Sequence, residues 1–478
     1  MRIEVAPRGK QRGKVTVLPA FAGKLTDGAP GGVPLKGIRV GSDAGEITTL
    51  CHDGRLLAVV SLGQAADCKS DTFRRAGGLA AKWLAQREVR TAGLDTRAAE
   101  SAKCDLAMAA LCEGLVLGSF RFDEHKSDAK PVAETRVDLL VTRPSQTLKR
   151  ELKRVQQTAA AANVARALAH QPPNVINPVS LAARARALAR QCGLGCTVLD
   201  ERQMGRLRMG GIMAVGQGSD TPPRLIVLSY RGSSPARPVV LVGKAITFDT
   251  GGYSIKTRDG ILGMKYDKCG GTTVLGAMHA VAALEPRVPV VGIIAAAENM
   301  ISGGAYRPDD IITTMSGKTV EIVSADAEGR MVLCDALTYA QRKWKPRAII
   351  DLATLTGGVV VSLGKLRAGL FCTHERLREA LLASGERTDE LLWPLPLDDG
   401  YLEGLKGNDS DLRNSGGREG HAILAAVFLK QFVGSTIPWA HLDIAGVADV
   451  DKDQPYCPKG ATGFGVRLLA DYLAGLRP

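Results

Sequence analysis

From residue 225 to residue 444 the sequence alternates short apolar runs with helix-forming stretches, and this alternation narrows the fold more than any other feature. Strands are predicted over 225–228, 238–242, 288–295, 319–323, 348–352 and 439–444, and helices over 271–284, 330–342 and 420–432. Short buried strands separated by helices predict an α/β domain with a mostly parallel central sheet covered on both faces. In such sheets ligands gather beyond the carboxyl ends of the strands.

Residues 1–144 predict a smaller amino-terminal α/β domain. Within it LLAVVSL, at 56–62, reads as a buried strand. Helices follow over 71–89, with Asp71 as N-cap, and over 100–120. No phosphate-cradling glycine loop accompanies them. Segment 145–173 reads as a long linker helix, rich in Ala, Leu, Lys, Arg and Gln and stopped by Pro172-Pro173. A helix over 178–191, with Pro178 at its start, opens the larger domain, 174–478. A chain of 478 residues exceeds one typical core, which agrees with two domains of unequal size.

Hydrophobic content of 45% with 23% charged residues is that of an ordinary soluble globular protein. No apolar run nears the roughly 20 residues needed to span a bilayer, so no membrane contact is expected. The basic amino terminus lacks the apolar segment of a secretory signal. Ten scattered cysteines read as reduced thiols of a cytoplasmic protein. The net charge of +13 is uneven: residues 1–200 carry 30 Lys and Arg against 19 Asp and Glu. Between Arg143 and Arg190 nine basic residues meet one acid, Glu151. A solvated helical face accounts for this. The sharper alternative is a DNA contact, although no aromatic residues interleave there to stack on bases.

Two segments stand apart, VGKAITFDTGGYSIKTRDGILGMKYDKCGG at 242–271 and SADAEGR at 324–330. They place Lys244, Asp249, Lys256, Asp267, Asp326, Glu328 and Arg330 in stretches that otherwise read as core. Ionised side chains are seldom buried unless paired or bound to a metal. Asp326, Glu328 and Arg330 alternate with small residues, so an extended segment would point all three to one side. They also precede a helix, where first-turn acids favour the dipole without any ligand. Lys244 and Asp249 are five positions apart, an odd offset that puts them on opposite faces of a regular strand, so the strand must bend to bring them together. Gly251-Gly252 after Asp249 are able to take φ > 0 or approach a ligand closely, and Gly270-Gly271 follow Asp267 in the same way. A buried lysine loses basicity through desolvation or a neighbouring cation; neutral, it binds a metal, and charged, it donates to substrate.

There is no HExxH, and the seven histidines do not cluster, which argues against a His-rich zinc site. Carboxylates bridging two divalent ions fit better, with Zn, Mn, Mg and Co all chemically admissible. Such a pair lowers the pKa of a shared water and clamps a developing oxyanion, enough to hydrolyse an amide, ester or phosphoester.

At these residues the sequence resembles the leucyl aminopeptidase, or cytosol aminopeptidase, family. VGKAITFDTGGYSIK, MKYDKCGG, SADAEGR and DLATLTGG look like its four signature blocks, and PPNVINP, RNSGGREGHAILAAVFLKQFV and WAHLDIAG extend the likeness. It is clear over residues 150–478 and looser before them. The resemblance implies a metal-dependent aminopeptidase acting on peptides, with two divalent ions, zinc or manganese. Lys244, Asp249, Asp267 and Glu328 would bind the tighter ion; Asp249, Asp326 and Glu328 would bind the exchangeable one. It implies that Lys256 stabilises the gem-diolate oxygen and that Arg330 holds a bicarbonate that shuttles the proton. The substrate's α-amine would bind a metal, which restricts cleavage to the amino-terminal residue. Leu355 and Gly357 resemble backbone contacts to substrate, and Met264 a wall of the first side-chain pocket. The family fold is a small α/β domain, a connecting helix and a larger catalytic α/β domain, assembled as a homohexamer. Some members of the family also bind DNA as accessory factors.

Four positions depart from the family pattern. Ser324-Ala325 stand where Asn-Thr is usual, and Lys268 and Cys269 where Met and Gly are frequent. No metal-binding side chain is lost. Cys269 is expected to be a packed thiol, His441 a core histidine, and Asp443 to carry no chemistry.

Overall fold

The computed structural model describes residues 1–25, 33–129 and 134–477. It divides into two compact units, Met1–Ala160 with Asp451–Lys459, and Ala161–Val450 with Gly460–Pro478.

The first unit is built on a six-stranded sheet. Its strands are β1 (Arg2–Pro7), β2 (Val15–Ala20), β3 (Ile47–His52), β4 (Arg55–Ser61), β5 (Thr91–Asp95) and β6 (Arg136–Val141). They lie in the order β1-β6-β5-β2-β4-β3 and are parallel except for the β3–β4 hairpin. The strand expected at 56–62 is β4. Helix α1 (Ser70–Gln86) begins after Lys69, so Asp71 is not its N-cap. The Asp71 carboxylate lies in the first turn and pairs with Arg74 at 3.1 Å. The helix expected over 100–120 is two: Arg97–Ser101 and α2 (Ala107–Gly118). The Ser101 hydroxyl donates to the Arg97 carbonyl at 2.9 Å, and Ala102 turns extended, which ends the first piece. Helices α1 and α2 touch backbone to backbone: a Cβ on Gly114 would lie 2.0 Å from the Arg74 carbonyl oxygen.

The boundary between the units falls within α3 (Gln146–His170), at Ala160–Ala161, and the helix runs up to the proline pair. Helix α4 (Pro178–Cys192) has Pro178 in its first turn, and the Asn177 side chain caps it by accepting from the Ser180 amide at 2.9 Å. The sheet contains eight strands, β7 (Gly195–Leu199), β8 (Arg224–Tyr230), β9 (Val239–Asp249), β10 (Val290–Asn299), β11 (Ala348–Ala353), β12 (Ala368–Cys372), β13 (Leu392–Pro394) and β14 (Trp439–Asp443). Their order is β13-β12-β14-β11-β9-β10-β8-β7, and the central four, β14-β11-β9-β10, are mutually parallel. Strand 319–323 is not part of it. Thr319–Glu321 belongs to a separate three-stranded sheet with Ile311–Thr313 and Leu412–Arg413. Only its central residue, Val320, is buried, so it has one apolar contact rather than the two faces a central strand needs.

Alternation along β9 shows how the core is divided. Val239, Leu241 and Ala245 face one apolar cluster with α4, α5 (Cys269–Leu284) and the carboxyl-terminal helix Val466–Ala474. Val240, Val242 and Ile246 face the other, with α6 (Glu328–Trp344) and His421–Lys430. Both faces of the sheet are thus covered, and the carboxyl ends of its parallel strands carry the polar residues. Gly270 and Gly271 serve this packing rather than a ligand. A Cβ on Gly270 would lie 2.2 Å from the Leu352 carbonyl oxygen, and one on Gly271 would lie 2.7 Å from the Ala245 side chain. That close seat of α5 on the sheet fixes Asp267, two residues before the helix.

Candidate active site

Lys244 lies within β9, not beyond its end, and Asp249 is the last residue of the same strand. The register between β9 and β10 shifts between Ile246 and Asp249. This bulge supplies the bend that the odd spacing requires. Asp249 then accepts from the Gly251 amide and from the Asn299 side-chain amide, each at 2.8 Å. Gly251 has φ +86, and a Cβ there would meet the Ser254 carbonyl oxygen at 2.5 Å. Both facts reserve the position for glycine.

The Lys244 ammonium is 2% exposed and donates at 2.9 Å to Asp267, 2.7 Å to Glu328 and 2.9 Å to the Thr354 carbonyl. Lys256 reaches in from the segment after β9, 2.9 Å from Asp249 and in contact with Asp326. Carboxylate oxygens of Asp249, Asp326 and Glu328 all lie within 4.8 Å of one another. The segment holding Asp326 is not extended through Arg330. Helix α6 starts at Glu328, so Glu328 and Arg330 sit in its first turn while Asp326 precedes it. Helical geometry carries Arg330 away from the lysines. Its guanidinium donates to the Asn414 carbonyl at 2.7 Å, and its Nε has no partner.

Burial raises Asp267 well above the ordinary carboxylate range; Glu328 and Asp249 add to this, and Lys244 offsets it only in part. Burial and Asp249 likewise raise Glu328, and burial raises Asp326 against the pull of Lys256. For Lys244, burial works against the ammonium, but Asp267, Glu328 and Asp249 outweigh it and hold its pKa above the usual lysine value. Desolvation alone therefore does not neutralise it. Lys256 is raised for the same reason, burial being overcome by Asp249, Glu328 and Asp326. Burial pulls Arg330 down to about 10.

Four carboxylates thus face two ammonium groups, a formal surplus of two negative charges, and the buried Oδ2 of Asp267 has no hydrogen-bond partner. Oxygen donors at this density with one acceptor unused suit hard or borderline divalent cations. The donor set fits such ions.

Several residues that sequence reasoning passed over hold this arrangement. Asn299, fully buried at the end of β10, also donates to the Ala325 carbonyl at 3.0 Å, and Tyr306 donates to the same oxygen at 2.6 Å. The Thr354 hydroxyl donates to Asp267 at 2.7 Å. Asn414 accepts from the amides of Val323 and Ser324 and donates to the Ser324 carbonyl. Asp443 has a positioning part after all. It accepts from the Leu355 amide at 3.1 Å and the Thr356 hydroxyl at 2.7 Å, and Thr356 caps the helix that Gly357 begins. Asn299 had one signal, a polar residue closing an apolar strand at its carboxyl end. Tyr306 and Thr354 had none.

Met264 stands half-buried in the short turn before Asp267, and Leu355 and Gly357 lie just beyond β11. Cys269 is buried, and burial pushes its thiol up to about 12, as suits an unreactive packed group. His441 lies in β14 with one ring nitrogen 2.6 Å from Asp351, whose other oxygen accepts from Trp439 at 2.6 Å; the second ring nitrogen has no partner. Lys268 is fully buried and donates to the Gln171 carbonyl at 2.9 Å.

Residues 163–470 match the model of the catalytic domain of the cytosol aminopeptidase family, and residues 36–129 match that of its N-terminal domain. A probable cytosol aminopeptidase of Geobacter sulfurreducens is 46% identical over 438 residues, 89% of this chain and 87% of that protein. One from Solibacter usitatus is 42% identical over 98% of both chains. Among solved structures, the bottromycin maturation enzyme BotP in complex with Mn superposes with a TM-score of 0.87 at 34% identity, covering 96% of this chain and 99% of that one. A tomato leucine aminopeptidase mutant superposes with a TM-score of 0.87 at 30% identity, covering 99% and 96%.

Proposed function

Because this chain belongs to the cytosol aminopeptidase family and is a metal-dependent aminopeptidase acting on peptides, we propose that Lys244, Asp249, Asp267, Asp326 and Glu328 form a two-ion site. Lys244, Asp249, Asp267 and Glu328 would hold one divalent ion, and Asp249, Asp326 and Glu328 a second, with manganese or zinc as the natural occupants. Once bound, the ions would supply Lewis acidity toward water and the scissile carbonyl, and a bicarbonate at Arg330 would supply a proton acceptor.

The protein's own groups have separable tasks. Lys256 is partly open to solvent and strongly held in its charged form, so it is placed to donate to the oxyanion that develops on the substrate carbonyl. The unpartnered Nε of Arg330 offers a donor to a small anion. Asn299 and Thr354 fix the rotamers of Asp249 and Asp267, so that neither carboxylate must reorganise during turnover. Backbone groups of Leu355 and Gly357 would orient the peptide, with Met264 bounding the first side chain. Asp443 holds that backbone in place.

The observation that carries this reading is the convergence of Lys244, Asp267 and Glu328, from three separate elements, on contacts of 2.7–2.9 Å. The test is release of the chromophore from leucine p-nitroanilide. Chelation should abolish it, Mn or Zn should restore it, and Lys256→Met should lower kcat with metal content unchanged. A fully metal-loaded sample that turns over no aminoacyl amide would overturn the reading. A homohexamer in the cytoplasm agrees with the family, and light scattering of the metal-loaded protein tests the assembly.

A further inference from the structure

Helix α6 begins at the active site and ends, about 24 Å further along its axis at 1.5 Å per residue, at a second concave site that aminopeptidase chemistry does not use. A cavity of about 580 Å³ opens there, bounded by the last turn of α6, the turn after Ile311–Thr313, and the end of the short helix Glu201–Arg206. Arg206, Arg208, Arg342 and Lys343 line it, and no carboxylate does. None of the four forms an ion pair among the described residues. Tyr339 and Ser316 complete the wall, one with an aromatic body and the other with a hydroxyl.

Helix dipoles alone favour cations at the end of α6. Arg208 follows the C-cap Leu207 of the short helix with φ +58, the left-handed cap that Glu285, Lys345 and Asp389 also adopt at helix ends, and it brings a further guanidinium to the cavity. The cavity is also built rigidly. Asp335, buried halfway along α6, accepts from the Met315 amide at 2.7 Å, tying α6 to the turn after Ile311–Thr313, and from the Ile212 amide at 3.0 Å in the neighbouring helix Gly210–Gly216. Gly210 abuts the hairpin so closely that a Cβ would lie 2.0 Å from the Thr313 carbonyl oxygen.

We propose that this cavity is a binding site for a small organic phosphate of nucleotide size. Its oxyanion meets Arg206, Arg208, Arg342 and Lys343, and its apolar body lies along Tyr339. Guanidinium groups match phosphate oxygens in pairs, and the volume falls within the range of small-ligand pockets. A recessed site suits a compact ligand better than the convex backbone of a nucleic-acid duplex.

The test is calorimetric titration of the full metal-loaded chain with AMP, with adenosine as the uncharged control. AMP should saturate one site per chain, bind more weakly as salt rises, and adenosine should give no binding. Arg208→Gly removes the charge while suiting the left-handed backbone, so its fold is preserved. It should weaken AMP at least tenfold, as should Arg342→Ala, with leucine p-nitroanilide turnover unchanged in both. Absence of AMP binding at low salt overturns the proposal. So does AMP binding that survives both substitutions, which would locate the ligand at the metal site. Binding of duplex DNA without AMP would assign the basic residues to a nucleic-acid surface and overturn it equally.

Discussion

Gly329 follows Glu328, a ligand of the proposed metal site, and its lack of a side chain is what lets Lys244 reach its partners. A Cβ at 329 would lie 2.7 Å from both Cδ and Nζ of Lys244 and 2.8 Å from Cε, whereas ordinary contact begins at 3.4 Å. In Gly329→Ala the lysine must therefore retreat by about 0.7 Å, the difference between those two distances. It has no free direction, because contacts to Asp267, Glu328 and the Thr354 carbonyl of 2.7–2.9 Å hold its ammonium. A retreat of that size carries at least one of them past hydrogen-bonding range. One lost hydrogen bond to a charged group is worth about 1.5–3 kcal/mol, or roughly a 10- to 150-fold change. The expected result is a loss of that order in metal affinity and in kcat for leucine p-nitroanilide. Thermal stability should hold, since Ala is favoured over Gly in a helix by about 1 kcal/mol. Metal titration and steady-state rates measure the first two, and a melting curve of the metal-free protein the third. Wild-type metal affinity together with wild-type turnover would refute the view that Lys244 must sit where it does.

Asn299→Ala removes the side-chain donor to Asp249 and to the Ala325 carbonyl and should cost about 10- to 100-fold in metal affinity; an unchanged chelator-competition curve would refute this. Metal binding should release protons. The neighbouring carboxylates hold Lys244 and Lys256 above their ordinary pKa and burial raises Asp267 and Glu328, while an incoming cation opposes all four protons; affinity should therefore rise with pH. Calorimetry in two buffers of different ionisation enthalpy reads the release directly, and equal heats would contradict it. Burial pushes Asp335 up to about 7, against an unfolded value of about 3.9, so the folded chain keeps a proton that the unfolded chain has lost between those values and stability falls as pH rises through that window. Asp335→Asn should melt lower at pH 5 yet lose less than the wild type between pH 5 and pH 8, and parallel losses would refute the assignment.

What the sequence reveals here is governed by the cost of burying charge. Lys244, Asp249, Asp267 and Glu328 were legible because ionised groups in apolar runs demand a physical reason, and the odd interval from Lys244 to Asp249 required the bend that appears as a bulge. Neutral positioning residues carry no such signal. Thr354 and Tyr306 are ordinary in composition, and only the packing shows that they set Asp267 and the Ala325 carbonyl. Strands β7 and β13 escaped notice because they are short and lie at the sheet's edges, where few apolar residues are required, and β12 because its buried apolar run is only five residues long. Periodicity misled at 326–330, where alternation suggested an extended strip although the helix already starts at Glu328. The competing description, an acid at a helix N-terminus, applies to Glu328 without displacing its place in the cluster, since a dipole and a metal favour the same carboxylate. The departure at Ser324 follows the same logic. Its hydroxyl accepts from the Asp326 amide at 3.2 Å, and Asn414 binds its amide and its carbonyl, so the segment is held by backbone contacts that a shorter side chain leaves intact. Ser324 thus acts through its hydroxyl and its main chain, whereas at Lys244 and Glu328 the side chain itself is what the proposed metal site requires.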